Sequence, residues 1–334
     1  MITKIKNYLN EQKPFYVLRV IQDQQIREIL CFQHPDEVPS ALCHPDILTG
    51  IATQRTLCVP DGNRELFLEC VRHNPQLYIF GAGTLAKPLC TIATMVGFEV
   101  TIIDDRAEFA NTQRFPDASH VLCQDMVEYL STSSIPDDAY YVLVTRGHQM
   151  DETCLRAILH KGHYAYLGMI GSRRKASILK NNLLKEGISE DVLNGIHAPI
   201  GLPIHSHTPE EIAVSICAEL IQVKNAQGTY EGDRECWRQL KEEPMVMATI
   251  LEHHGSTPRG IGSKMIIKED GSYVGTIGGG SLEYQTIAMA KTMMHENKAA
   301  ILDFNLSNAD ASKEGMICGG SARVVLEPIA LFKD

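Results

Sequence analysis

Residues 76–105 read QLYIFGAGTLAKPLCTIATMVGFEVTIIDD, and this stretch decides the fold. The run from Gln76 to Phe80 is apolar along its length, as a strand covered on both faces must be. It breaks at Gly81-Ala82-Gly83 and resumes as a helix-like pattern from Ala86. A second apolar run, Phe98 to Ile103, ends in Asp104 and Asp105. Gly81, Gly83 and Ala86 stand in the order G-x-G-x-x-A. In that pattern the first glycine permits a tight turn and the second lets a diphosphate approach the backbone. The helix start then supplies N–H groups and a positive dipole end. Asp104 falls about twenty residues on, where an acid binds a ribose 2′-hydroxyl, and Arg106 follows it. The stretch therefore predicts a site for NAD(P) or another nucleotide, or else a scaffold of the same shape without one.

Outward from this stretch, strands and helices keep alternating. HVLC, AYYVLVT and AYLGMIG read as strands; QDMVEYLSTS, DETCLRAILHK and SRRKASILKNNLLKEG read as helices. Apolar strands alternating with helices imply a parallel sheet covered on both sides, a Rossmann-like domain over 76–228. Its closing helix carries Thr208 as N-cap, Pro209 at the first helical position and Glu211 completing a capping box, with Gly228 as a stop. Residues 1–75 read as a small α+β segment and 229–243 as a linker. Residues 244–334 read as a second α+β domain, with a hairpin turned at Asp270-Gly271. The fold class is thus α/β: a Rossmann-like parallel sheet domain flanked by smaller α+β segments at both ends. RELFLECV near the start and ARVVLEPI near the end are loosely alike, as related modules in the flanking segments would be.

Bulk properties narrow the function. The 334 residues exceed one typical core. A formal net charge of −10 argues against a broad nucleic-acid or anionic-membrane surface. The ten cysteines include no C-x-x-C pair, and most lie in apolar runs, as buried thiols in a reducing compartment do. MITKIKNYLNEQKPF lacks the apolar core of a signal peptide, and no run approaches the roughly 20 apolar residues of a membrane span. A cytoplasmic location is expected.

Three loops of the last domain concentrate small polar residues. HHGSTPRGIG offers Ser256, Thr257 and Arg259. TIGGGSLE offers Gly278, Gly279, Gly280, Ser281 and Glu283. GMICGGSAR offers Cys318, Gly319 and Gly320. Backbone N–H groups, hydroxyls, a guanidinium and a thiol suit a compact oxyanion if the loops converge. Each also has a plainer reading: a bend for the glycines, a buried thiol for Cys318, a solvated charge for Arg259 and an N-cap for Ser281. In the middle domain, TRGHQMDE puts His148 and Asp151 at the C-terminal end of a strand, where ligands of parallel sheets bind. GSRRK puts Ser172 and Arg173 at a strand-to-helix turn, a phosphate grip or an exposed basic helix face. His205 and His207 lack a third partner at metal-ligand spacing.

These motifs resemble those of the XdhC/CoxI family, the xanthine dehydrogenase accessory proteins. The resemblance is carried by GSTPRGIGSKM, GTIGGGSLE and MICGG with VVLEPI in the last domain. In the middle domain it is carried by LYIFGAGTLAKPL, GFEVTIIDDR, YLGMIGSRRK and HAPIGLPIHSHTPEEIAVSICAE, and it spans about 76–330. It implies a chaperone rather than a turnover enzyme: one that binds molybdenum cofactor, protects it during sulfuration and passes it to a xanthine dehydrogenase-type hydroxylase. A cysteine desulfurase is a further partner on this reading, and Cys318 is the candidate thiol for molybdenum. In the family the loop domain usually comes first. Here it follows the Rossmann-like domain, and residues 1–75 hold its usual place without the loops, as a degenerate copy would. A homodimer that exchanges small domains would suit this order. Relatives often carry cysteine after the three glycines; here Ser281 stands there. The competing expectation is an NAD(P)-dependent oxidoreductase using Gly81, Gly83 and Asp104, with His148 as acid–base group.

Overall fold

The chain opens with apolar residues three and four apart. Ile2, Ile5 and Leu9 form the buried face of helix α1 (Ile2–Asn10). Strands β1 (Phe15–Gln22) and β2 (Gln25–Phe32) follow. Asp23 and Gln24 turn between them, both at positive φ (53° and 58°), the twist a two-residue hairpin loop needs. Helix α2 (Pro45–Ala52) leads to β3 (Leu57–Asp61) and β4 (Arg64–Val71). These strands pair antiparallel in the order β2-β1-β4-β3.

The parallel sheet predicted from residue 76 is present. In chain order its elements are β5 (Gln76–Phe80), α3 (Ala86–Met95), β6 (Glu99–Asp104), β7 (His120–Cys123), α4 (Met126–Thr132) and β8 (Tyr140–Leu143). Then come α5 (His148–Lys161), β9 (Tyr166–Met169), α6 (Arg173–Lys185), α7 (Glu190–Asn194), β10 (Ile196–His197) and α8 (Pro209–Asn225). Strand order is β10-β9-β8-β5-β6-β7, with every pairing parallel. The two-residue period of β5 shows why both faces are apolar. Leu77 and Ile79 pack with Leu89 of α3 and Ile216 and Leu220 of α8. Tyr78 and Phe80 pack with Leu130 of α4, Leu155 of α5 and Leu179 of α6. The expected capping box at α8 is formed: Thr208 Oγ1 accepts from Glu211 N, and Glu211 Oε2 accepts from Thr208 N.

The last elements are α9 (Arg234–Arg238), β11 (Met245–Gly255), β12 (Lys264–Lys268), β13 (Tyr273–Gly275), α10 (Gly280–Glu296), β14 (Ala300–Asn305) and β15 (Gly320–Pro328). The computed structural model describes residues 1–11, 13–226, 234–255, 259–305 and 320–332. It divides into two units, Met1–His73 with Gly228–Asp334, and Asn74–Gln227. The segment expected to be a linker carries α9, whose Cys236 and Trp237 are wholly buried. A tryptophan excluded from water brings too much apolar area to sit on a tether.

The two flanking segments therefore fold together, and they share one plan. Their sheets run β2-β1-β4-β3 and β13-β12-β11-β15-β14, the same order with β13 added at one edge. The register agrees as well: Val17 of β1 faces Glu69 of β4, and Met247 of β11 faces Glu327 of β15. These are the two glutamates that RELFLECV and ARVVLEPI align. The sheets bury apolar faces against each other through Phe15, Val17, Met247, Ile266 and Trp237, and through Ile21, Phe67, Leu251 and Val325.

Charges lie among these apolar contacts. Arg19, Glu69, Lys264 and Glu327 are all fully buried. Glu69 accepts from Arg19 Nη1 at 3.0 Å and Trp237 Nε1 at 2.8 Å, and lies 2.7 Å from Lys264 Nζ. Glu327 accepts from Arg19 Nε at 2.7 Å. Burial alone would raise the Glu69 carboxyl, but Lys264 and Arg19 hold it below its ordinary value. Two cations against two carboxylates make the cluster neutral.

Candidate functional site

In the parallel-sheet unit, β5 sits between β8 and β6, so the chain leaves the sheet in opposite directions on its two sides. The crevice at such a point is where open α/β sheets bind ligands. Gly81 lies there with φ 110°, and a Cβ added to it would sit 2.4 Å from Val144 O. Backbone conformation and the passing loop after β8 both demand glycine. Gly83 differs: a Cβ there would meet nothing within 4 Å. Ala86 is fully buried at the start of α3, where a small residue lets helix and sheet approach.

Asp104 ends β6 as expected, yet its carboxylate is already engaged. Oδ2 accepts from Ala82 N and from Arg106 Nη2, both at 2.8 Å. Oδ1 accepts from Arg106 N at 3.1 Å and Arg106 Nε at 2.8 Å. Burial would raise this carboxyl; the Arg106 guanidinium and the two backbone N–H donors outweigh it and hold it low. The Arg106 and Arg114 guanidinium carbons lie 3.9 and 5.1 Å from the centre of the Phe109 ring. Sequence reading singled out Arg106 but missed Phe109 and Arg114, whose spacing fits no standard fingerprint.

The helices after β8 and β9 meet at their first turns. His148 Nε2 contacts Lys175 Nζ in the first turn of α6. Ser172 caps that helix, its Oγ accepting from Lys175 N at 3.3 Å, and Arg173 borders an open groove with Lys180 and Pro199. Asp151 is buried and accepts from Thr145 N at 3.0 Å. Burial raises its carboxyl, and the bonds from Thr145 pull the other way. Asp151 thus ties α5 to the loop before it, while His148 turns to α6. One polar set escaped the sequence reading. Glu219 of α8 accepts from Tyr166 Oη at 2.5 Å and Gly201 N at 2.9 Å, and lies 3.1 Å from His197 Nδ1. An acid among the apolar residues of SICAEL was its signal.

In the other unit, Gly278, Gly279 and Gly280 have φ of 125°, 78° and 60°, so backbone conformation requires all three glycines. Glu283 fills the concavity they form. Its Oε1 accepts from Thr276 Oγ1 at 2.5 Å, Ile277 N at 3.1 Å and Gly279 N at 2.9 Å. Gly278 N donates to Thr276 Oγ1 at 3.1 Å. The Glu283 carboxylate is thus the chain's own acceptor at these glycines. The helix cap is Gly279, so Ser281 is not the N-cap but a member of the first turn of α10. Glu283→Ala is expected to cost about 1.5–3 kcal/mol, because it strands charge-assisted donors. Glu283→Gln keeps an acceptor oxygen and should recover most of that loss. Denaturant melts of both variants check this, and equal losses would contradict it.

The first and third loops leave the sheet from partnered residues, since Gly255 pairs with Gly320. The glycine loop leaves from β13, whose Gly275 faces Met265, itself opposite Ala248 of β11. Arg259 is partly buried. Ser256, Thr257, Cys318 and Gly319 lie outside the described residues. Among the described residues, Cys58, Glu65 and Glu252 form the one group with metal-ligand reach. There Arg323 already supplies the cation, 2.6 Å from Glu65 and 3.7 Å from Glu252, and burial beside these carboxylates pushes the Cys58 thiol up to about 12. His205 and His207 are not part of that group.

The fold thus joins a parallel sheet with a dinucleotide-type turn to an antiparallel module with a glycine loop. Residues 77–220 match the XdhC Rossmann domain, and residues 239–305 match the XdhC and CoxI family. The chain belongs to the XdhC/CoxI family. It is 32% identical over 168 residues to the uncharacterized protein YqeB of Escherichia coli (strain K12), covering 49% of this chain and 30% of that one. It is 30% identical over 175 residues to a protein of Bacillus subtilis (strain 168) described as a probable xanthine dehydrogenase subunit, covering 52% of this chain and 50% of that one. The chain thus spans half or less of the length of these curated relatives. A crystal structure from Bacillus halodurans, described as a xanthine dehydrogenase, superposes with a TM-score of 0.55 at 26% identity, over 67% of this chain and 63% of that one. No described helix is long and apolar enough to cross a membrane.

Proposed function

We propose that this protein is an accessory factor for a xanthine dehydrogenase-type molybdenum hydroxylase. It binds molybdenum cofactor, assists its sulfuration and hands it to the apoenzyme. The observation that supports this most is the presence of both family modules in one chain. The names of the Bacillus relatives point to the same partner. The glycine loop supports it in a different way. Glu283 holds the backbone N–H groups of Ile277 and Gly279 in place, so the loop keeps its shape before any cargo arrives. A phosphate-bearing pterin suits hydroxyls, amides and a guanidinium, and Cys318 is the soft ligand available to molybdenum. A cysteine desulfurase is the source of sulfur on this reading.

The test is maturation of the partner. In a host lacking this protein, the hydroxylase should accumulate as protein with little activity, and wild-type chain should restore it. Cys318→Ser and Arg259→Ala should restore it poorly. Full hydroxylase activity without the protein would end the proposal.

A further inference from the structure

We propose that the glycine turn of the parallel-sheet unit seats a phosphomonoester against Arg106 and Arg114, and rejects ligands that offer an unphosphorylated ribose diol there. Asp104 is the starting point. A diol is recognised at this position by donating to a free carboxylate oxygen. Asp104 is 1% exposed, and both its oxygens already accept from Ala82 and Arg106. The acid at the fingerprint position is consumed in tying the turn to Arg106.

The cations are placed the other way. Arg106 and Arg114 both lie over Phe109, beside the turn. Arg106 has its carboxylate, but among the described residues Arg114 makes no ion pair. Its Nη2 reaches only Ala82 O, at a long 3.5 Å, and its Nε is buried without an acceptor. An exposed cation, Arg146, stands nearby, paired with Asp105 at 3.0 Å. A phosphomonoester brings close to two negative charges and several strong acceptor oxygens, which suits paired guanidinium groups better than a neutral diol does.

Gly83 supplies an independent observation. Its φ is not in the left-handed region and a Cβ would enter open space, so nothing in the fold requires glycine there. A ligand passing close over the backbone does. Two sources offer the chemistry: the 2′-phosphate of an NADP-type dinucleotide, and the phosphate of a pterin such as molybdenum cofactor carries. The pterin source rests on the cofactor-delivery reading and the dinucleotide source does not; both are measured on the purified full chain without a partner enzyme.

Isothermal titration calorimetry with NADPH, NADH, a phosphorylated pterin and its dephosphorylated form tests it. At least one phosphorylated ligand should bind about tenfold or more tightly than its unphosphorylated counterpart, a gap of about 1.4 kcal/mol. NADPH over NADH assigns the dinucleotide source; the pterin pair assigns the other. Arg114→Gln should erase the preference. Gly83→Val should weaken binding about tenfold while leaving the melting temperature unchanged, which separates ligand loss from misfolding. Equal binding within both pairs, no binding by folded protein, or full binding by Gly83→Val would each overturn the proposal.

Discussion

Glu69→Leu should destabilise the unit formed by the two flanking segments by roughly 3–5 kcal/mol, the usual consequence of stranding a buried charge. Glu69 is the hub of the buried cluster. Without it, Lys264 loses its carboxylate, Arg19 keeps only Glu327, and the Trp237 indole N–H loses its acceptor. Glu327→Leu should cost less, because Glu327 meets Arg19 alone and its Oε2 is already without a partner. The pH dependence follows from the direction of the Glu69 shift. Its carboxyl is held below the ordinary value of 4.5 in the folded state. The stability it contributes is therefore complete above that value and is lost as pH falls through the folded one. Acid melts of wild type and Glu69→Gln should differ near neutrality and converge at low pH. Denaturant melts in which Glu69→Leu and Glu327→Leu lose equal stability would contradict the hub role.

Gly81→Ala is the second large effect. The substitution forces a side chain into left-handed backbone, at about 1–3 kcal/mol. Its Cβ would also lie 2.4 Å from Val144 O and 2.9 Å from Thr145 Cα, both backbone atoms that have little room to yield. Overpacking of this kind costs about 1–3 kcal/mol more. The parallel-sheet unit should lose much of its stability, whereas Gly83→Ala, two residues away, should melt like wild type. Amide exchange on β5 and β8 reports this locally. Equal protection in the Gly81 and Gly83 variants would contradict the geometry.

Much of the parallel sheet was legible because its signals are local. QLYIF announces a strand covered on both faces, Thr208, Pro209 and Glu211 announce a helix start, and G-x-G-x-x-A announces the turn between β5 and α3. The union of the two flanking segments was not legible. Arg19 and Glu327 are separated by 308 positions, and their pairing depends on the placement of two whole sheets. The likeness of RELFLECV to ARVVLEPI was the one trace of it, and it aligned the two buried glutamates correctly. The site was legible in part. Glycine patterns located both turns, but they do not say what the turns hold. Nor do they say that Gly279 N meets Glu283 or that Asp104 meets Arg106. Both depend on side-chain rotamers that a sequence pattern does not encode.

On the proposed function, this chain carries molybdenum cofactor for another enzyme. Elemental and pterin analysis of protein purified without oxygen from molybdenum-replete cells tests it most directly. Molybdenum and a phosphorylated pterin should be present in equal amounts, approaching one of each per chain, and both should be lost in Cys318→Ser. Protein free of both, from cells whose hydroxylase is fully active, would contradict it.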